Sequence, residues 1–105
     1  KKVNFSGNLL ADDIRSMKLI RNAFIENETV ENLNFSNNFL SRNIDSLYLL
    51  KEILEFNKHL KKLNLSQNYF GLYPESIIVL SEALSKNKTL KKKVLINRVY
   101  DLLYH

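Results

Sequence analysis

A block of about ten residues recurs along this chain at a spacing of thirty: KKVNFSGNLL at 1–10, ENLNFSNNFL at 31–40 and KKLNLSQNYF at 61–70, with a degraded KKKVLINRVY at 91–100. Repetition at a fixed period of about 20–50 residues constrains a fold more than length does, because each copy must then be one small structural unit stacked on the next. The 105 residues are therefore expected to form a single row of about three and a half units, at 1–30, 31–60 and 61–90, with a degenerate copy or cap at 91–105.

Within a unit the hydrophobic period changes. Val3 and Phe5, Leu33 and Phe35, and Leu63 and Leu65 alternate with polar residues, the period-two signature of a short half-buried strand. Asn4, Asn34 and Asn64, with Ser6, Ser36 and Ser66, must then face the other way. Next come Met17, Ile20 and Phe24, then Leu47, Leu50 and Leu54, then Ile77, Leu80 and Leu84, each set at i, i+3, i+7 on one stripe of a helix. Ala23, Ile53 and Ala83 are expected to widen that stripe. Pro74 favours a first helical position, and the same boundary makes Asp13 and Asn43 N-caps of the other helices. Asn27, Asn57 and Asn87 mark the helix ends, where asparagine tolerates the left-handed conformation. The spacing predicts helices over 14–26, 44–56 and 74–86.

The copies VENLNFSNNFL and LKKLNLSQNYF fit the pattern L-x-x-L-x-L-S-x-N-x-L, which resembles the leucine-rich repeat family. Unit length, the helical second half and the hinges NETV, NKHL and NKTL are similar to its ribonuclease-inhibitor-like subfamily. The resemblance covers residues 1–90. It departs from the subfamily in unit length and in placing Ile14, Ile44 and Pro74 where glycine is frequent. The fold it implies is an α/β right-handed solenoid with short parallel strands inside and helices outside. Physical spacing agrees, since strands pair at about 4.8 Å and helices pack at about 8–10 Å, which bends such a stack into an arc. In the fourth copy Lys93 falls at an apolar position. That copy is either a terminal cap or slips by one residue so that Val94 and Ile96 face inward.

The resemblance also implies that Asn8, Asn38 and Asn68 are structural, pointing inward to bond the turn backbone. It makes the strand face the usual partner surface, here carrying Asn34, Ser36, Asn64 and Ser66 with Lys62 at the edge. Comparing sister copies points elsewhere. Leu72 and Tyr73 replace the polar pairs Asp12 with Asp13 and Arg42 with Asn43, and Tyr69 precedes them, so this rim is the stronger partner-binding candidate. Ile25 and Phe56 likewise stand where sister units are polar.

The chain has no cysteine, which excludes disulfides and thiolate metal sites. Asn4, Asn27, Asn34, Asn64 and Asn87 each open an N-x-S/T sequon, a conflict that a cytoplasmic protein, or one delivered by a bacterium into a host cytoplasm, avoids. No apolar run approaches the roughly 18 residues a membrane span needs. His59 aligns with Thr29 and Thr89, His105 ends the sequence, and no nucleophile–base spacing or glycine-rich phosphate loop is present. Neither catalysis nor a cofactor is expected.

Lysines gather in the hinges, at Lys58, Lys61 and Lys62 and again at Lys86, Lys88, Lys91, Lys92 and Lys93, within a net charge of +5. They are read as a solvated edge. The functional expectation is a non-enzymatic protein-interaction module, a segment of a larger intracellular protein, since Lys1 stands inside a copy with no initiator methionine before it. Self-association through an uncapped first strand is also expected. Two alternatives stand beside this: a binder of nucleic acid or an anionic surface through the lysine rim, and a structural spacer beside an enzymatic domain. Nucleic acid is disfavoured because no aromatic residue is interleaved with the lysines for base stacking.

Overall fold

The computed structural model describes residues 1–90 and the backbone of 93–95. It is an α/β structure in which short strands and helices alternate: β1 (Lys2–Asn4), α1 (Ile14–Glu26), β2 (Asn32–Asn34), α2 (Ile44–Phe56), β3 (Lys62–Asn64), α3 (Pro74–Lys86) and β4 (Lys93–Leu95). The strands form one parallel sheet in chain order. Val3 pairs in register with Leu33 and Leu33 with Leu63, so the thirty-residue spacing is the sheet register. Between strand and helix lies a single 3₁₀ turn, at Leu10–Asp12, Leu40–Arg42 and Phe70–Leu72, which hydrophobic periodicity did not predict. Strand, turn and helix make one unit.

The fourth strand settles an alternative. Leu63 pairs with Val94 rather than with Lys93, a spacing of thirty-one residues. The one-residue slip gives an apolar residue the register position that lysine would otherwise hold at the core face. Ile96 and the rest of that copy lie outside the described residues, as do Lys91 and Lys92.

The core sits between sheet and helices. Leu33, Phe35, Leu63 and Leu65 from the strands and the turns after them meet Met17, Leu47, Leu50, Ile53, Leu54 and Leu80 from the helices, all buried. Ile53 and Ala83 extend the helical stripe as predicted; Ala23 is exposed instead, because α1 is packed by a neighbouring helix on one side only. Phe5 stacks on Phe35 at 5.7 Å between centroids and meets Phe24 edge-on at 6.1 Å.

The helices begin where the caps predict. Asp13 Oδ1 accepts the Ser16 N–H and its Oδ2 accepts the Ser16 hydroxyl. Asn43 Oδ1 accepts the Asp45 N–H, and Pro74 occupies the first turn of α3.

The helix ends differ from expectation. Asn27, Asn57 and Asn87 are extended, with φ of −67°, −76° and −80°, not left-handed. Their side chains supply the reason. Asn57 Oδ1 accepts the N–H groups of His59 and Leu60 at 2.7 and 2.8 Å, shaping the hinge into the next strand. Its Nδ2 reaches back to the carbonyl of Phe24 at 2.7 Å. Asn87 repeats this on Leu54. Asn27 makes only the hinge bonds, to the N–H groups of Thr29 and Val30, and is extended too, so those bonds set the conformation, while Asn57 and Asn87 in addition close an orphan carbonyl of the preceding helix.

Two measurements check this architecture. Leu63→Ala should destabilise by about 2–5 kcal/mol, since the side chain is fully buried and the cavity cannot collapse against the neighbouring strands. Asn64→Ala should cost much less in the same chemical denaturation series. Separately, the hydrogen bonds from the Ser16 hydroxyl and N–H hold the Asp13 carboxyl below the usual carboxylate range. A depressed folded pKa means this contribution is fully present above the unfolded pKa and lost as pH falls through the folded one. Asp13→Asn keeps the cap and should flatten that acid-side part of the stability–pH curve.

Candidate functional site

After each strand the chain turns through two left-handed residues: Gly7 and Leu9, Asn37 and Phe39, Gln67 and Tyr69. Gly7 suits a φ of 71°, but Leu9, Phe39 and Tyr69 at 51°, 53° and 60° adopt a conformation that costs a bulky L-residue roughly 1–2 kcal/mol. The structure shows what holds Leu9 and Phe39 there. Asn38 Oδ1 accepts the N–H groups of Asn8 and Leu10, which flank Leu9, at 2.9 and 3.3 Å. Asn68 Oδ1 does the same for Asn38 and Leu40 around Phe39, both at 3.0 Å. A single amide oxygen from the next unit thus clamps both sides of the strained residue, whose side chain is turned out of the core.

Asn38 and Asn68 are fully buried and also donate through Nδ2. Asn68 bonds the carbonyls of Phe35 and Leu65 at 3.0 Å each, and Asn38 those of Phe5 and Phe35 at 2.9 and 3.0 Å. Asn8 is exposed and donates within its own turn.

The residues turned outward form a rim. Leu9 is exposed, and the Phe39 and Tyr69 rings lie 4.8 Å apart with the Arg42 guanidinium 5.6 Å from the Phe39 centroid. In the first two units the residue three positions on is charged, and these two, Asp12 and Arg42, pair at 3.3 Å. In the third, Leu72 and Tyr73 are 49% and 40% exposed. The Leu72 N–H bonds the Tyr69 carbonyl at 3.1 Å, so these residues share one 3₁₀ turn. Tyr73 occupies the N-cap position of α3 and makes no side-chain cap bond there, unlike Asp13 and Asn43.

Leu72, Tyr73 and Tyr69 are therefore brought together at the rim. Asn34, Ser36, Asn64, Ser66 and Lys62 lie apart from them on the sheet face, half-buried except for exposed Lys62. Sequence reasoning missed Leu9 and Phe39. The signal was present, since the residue after the conserved-pattern asparagine is apolar in every complete copy, but it sits beside core residues Leu10, Leu40 and Phe70 and reads as part of the same run. Phe56 is exposed on α2, whereas Ile25 is half-buried.

Among the described residues no group of three or more His, Cys, Asp or Glu side chains could hold a metal ion, and no helix is long and apolar enough to cross a membrane. The chain matches no family model, no curated protein and no solved structure.

Proposed function

We propose that this chain is a leucine-rich repeat segment, related to the ribonuclease-inhibitor-like kind, that works as a non-enzymatic protein-interaction module within a larger protein. The thirty-residue register, the 3₁₀ turn and helix after each strand, and the turn asparagines support that solenoid reading. The absence of cysteine and the five sequons support a reducing, cytoplasmic setting, the host's included if the protein is a delivered effector.

One observation carries the interaction role. Tyr73 holds an N-cap position without capping it, forgoing a hydrogen bond that is worth about 0.5–2 kcal/mol elsewhere. Leu72 beside it forgoes the ion-pairing chemistry of Asp12 and Arg42. Large side chains, left 49% and 40% exposed where sister units carry a cap and a charge, mark a surface kept for another purpose. Tyrosine adds a large contact area at low entropic cost, and Pro74 stiffens the segment behind it.

A second reading has its own observation. Leu19 on α1 is 69% exposed, whereas its counterparts Leu49 and Val79 are 7% and 6% exposed. A cavity of about 480 Å³ opens there, lined in part by Phe5, Ser16, Leu19 and Ile20. The outer edge of β1 lies on the same side, so two copies could associate through it.

The rim is tested with a Leu72→Asp, Tyr73→Asn double variant. Asn restores a cap, so stability should hold or rise, while a photo-crosslinker at position 73 should give a discrete protein adduct that excess wild type suppresses and the double variant does not. A loss of a few kcal/mol in stability would instead make the pair packing residues. For the second reading, sedimentation should show concentration-dependent association that Leu19→Lys abolishes. A monomer at every concentration rejects it.

A further inference from the structure

The sheet face turned away from the helices carries three asparagines whose orientation is fixed. Asn4, Asn34 and Asn64 each accept, through Oδ1, the N–H of the serine two residues on, at 2.8, 2.8 and 2.9 Å. A backbone N–H only donates, so the accepting atom must be the oxygen and the amide cannot be flipped. Each Nδ2 is left without a partner among the described residues. The three residues pair directly in the parallel register, so these amide groups form a row spaced at about 4.8 Å.

Beside the row lies a groove of about 170 Å³, whose lining includes Lys1, Lys2, Lys61 and Lys62. Its single carboxylate, Glu31, is 3.3 Å from Lys61. Lys1, Lys2 and Lys62 make no ion pair among the described residues. The face as a whole offers donors and positive charge with little to accept.

We propose that this strand face binds an extended acidic segment of a partner protein, its carboxylates received by the Nδ2 row and the lysines of the groove. The proposal rests on the reading of the chain as an interaction module and gives that module a partner chemistry. An apolar occupant would strand the outward amide donors, and a basic one would meet like charge. Single-stranded nucleic acid finds no stacking platform: the described part of this face has no aromatic side chain, and Phe39 on the nearby rim already lies against Tyr69 and Arg42.

Fluorescence anisotropy with a fluorescein-labelled oligoglutamate peptide tests this on the full chain. The peptide should bind, and oligoglutamine of equal length should not. Asn34→Asp leaves an oxygen for the Ser36 N–H and sets no second carboxylate beside it, so thermal unfolding should be unchanged while affinity falls about tenfold or more. Lys2→Gln with Lys62→Gln, both at exposed positions, should lower it by a similar factor. The Leu72→Asp, Tyr73→Asn variant should bind oligoglutamate as the wild type does, so failure of the rim and failure of the strand face are read separately. Equal binding of oligoglutamine, retained affinity in the Asn→Asp variant, or tighter binding of oligothymidylate than of oligoglutamate would each overturn the proposal.

Discussion

Everything in this structure leans on one interaction: a buried asparagine amide that satisfies the backbone of the unit before it. Asn38 and Asn68 use their oxygens on N–H groups of the preceding turn and their nitrogens on carbonyls of both turns. Strands of three residues supply few ladder bonds, and the turn that follows each strand pairs only some of its own groups. Buried backbone without partners would cost about 1–3 kcal/mol per group, so without these side chains the turns could not be packed inside. Asn57 and Asn87 do the equivalent work at the opposite end of the unit, where helix gives way to strand. Aliphatic residues fill the space between the two ladders; the amides decide how the backbone gets from one layer to the other.

Because the clamp is rigid, it accepts residues that the turn itself disfavours. Leu9 and Phe39 are poor left-handed residues, yet the oxygens of Asn38 and Asn68 keep them there, with the Phe39 ring against that of Tyr69 at the rim. Strain held by the scaffold in this way places large side chains where a flexible loop would let them fold back. The rim and the strand face are then two chemically different surfaces of one body: one apolar and aromatic, one made of amide donors and ammonium groups.

Much of this was legible in the residues themselves. Helix limits followed from caps and proline because those residues act locally, through their own φ or through a neighbour two or three positions away. The layer each apolar residue belongs to followed from the change of period. What was not legible depended on groups thirty residues apart. Asparagine at a helix end suggests a left-handed cap, and nothing in its own segment announces that Asn57 and Asn87 give Nδ2 to a helix carbonyl of the preceding unit. The outward turn of Leu9 and Phe39 likewise depends on an oxygen contributed by the next unit, so the run looked like continuous core. In the fourth copy the residues left the register open between a cap and a one-residue slip, and the strand pairing follows the slip onto Val94. As for the site, the substitutions at Leu72 and Tyr73 stood out by comparison between copies, whereas the fixed direction of the Asn34 and Asn64 amides needed the turn geometry.

The asparagine clamp also has a direction. The turns around Leu9 and Phe39 are each completed by an oxygen contributed by the next unit of the chain. On a ribosome adding about 5–20 residues per second, the turn around Leu9 therefore waits about 2–6 s for Asn38 to be made, in addition to the time needed to clear the exit tunnel. The first two units consequently mature one unit behind synthesis, each turn open to solvent until the asparagine of the next unit arrives.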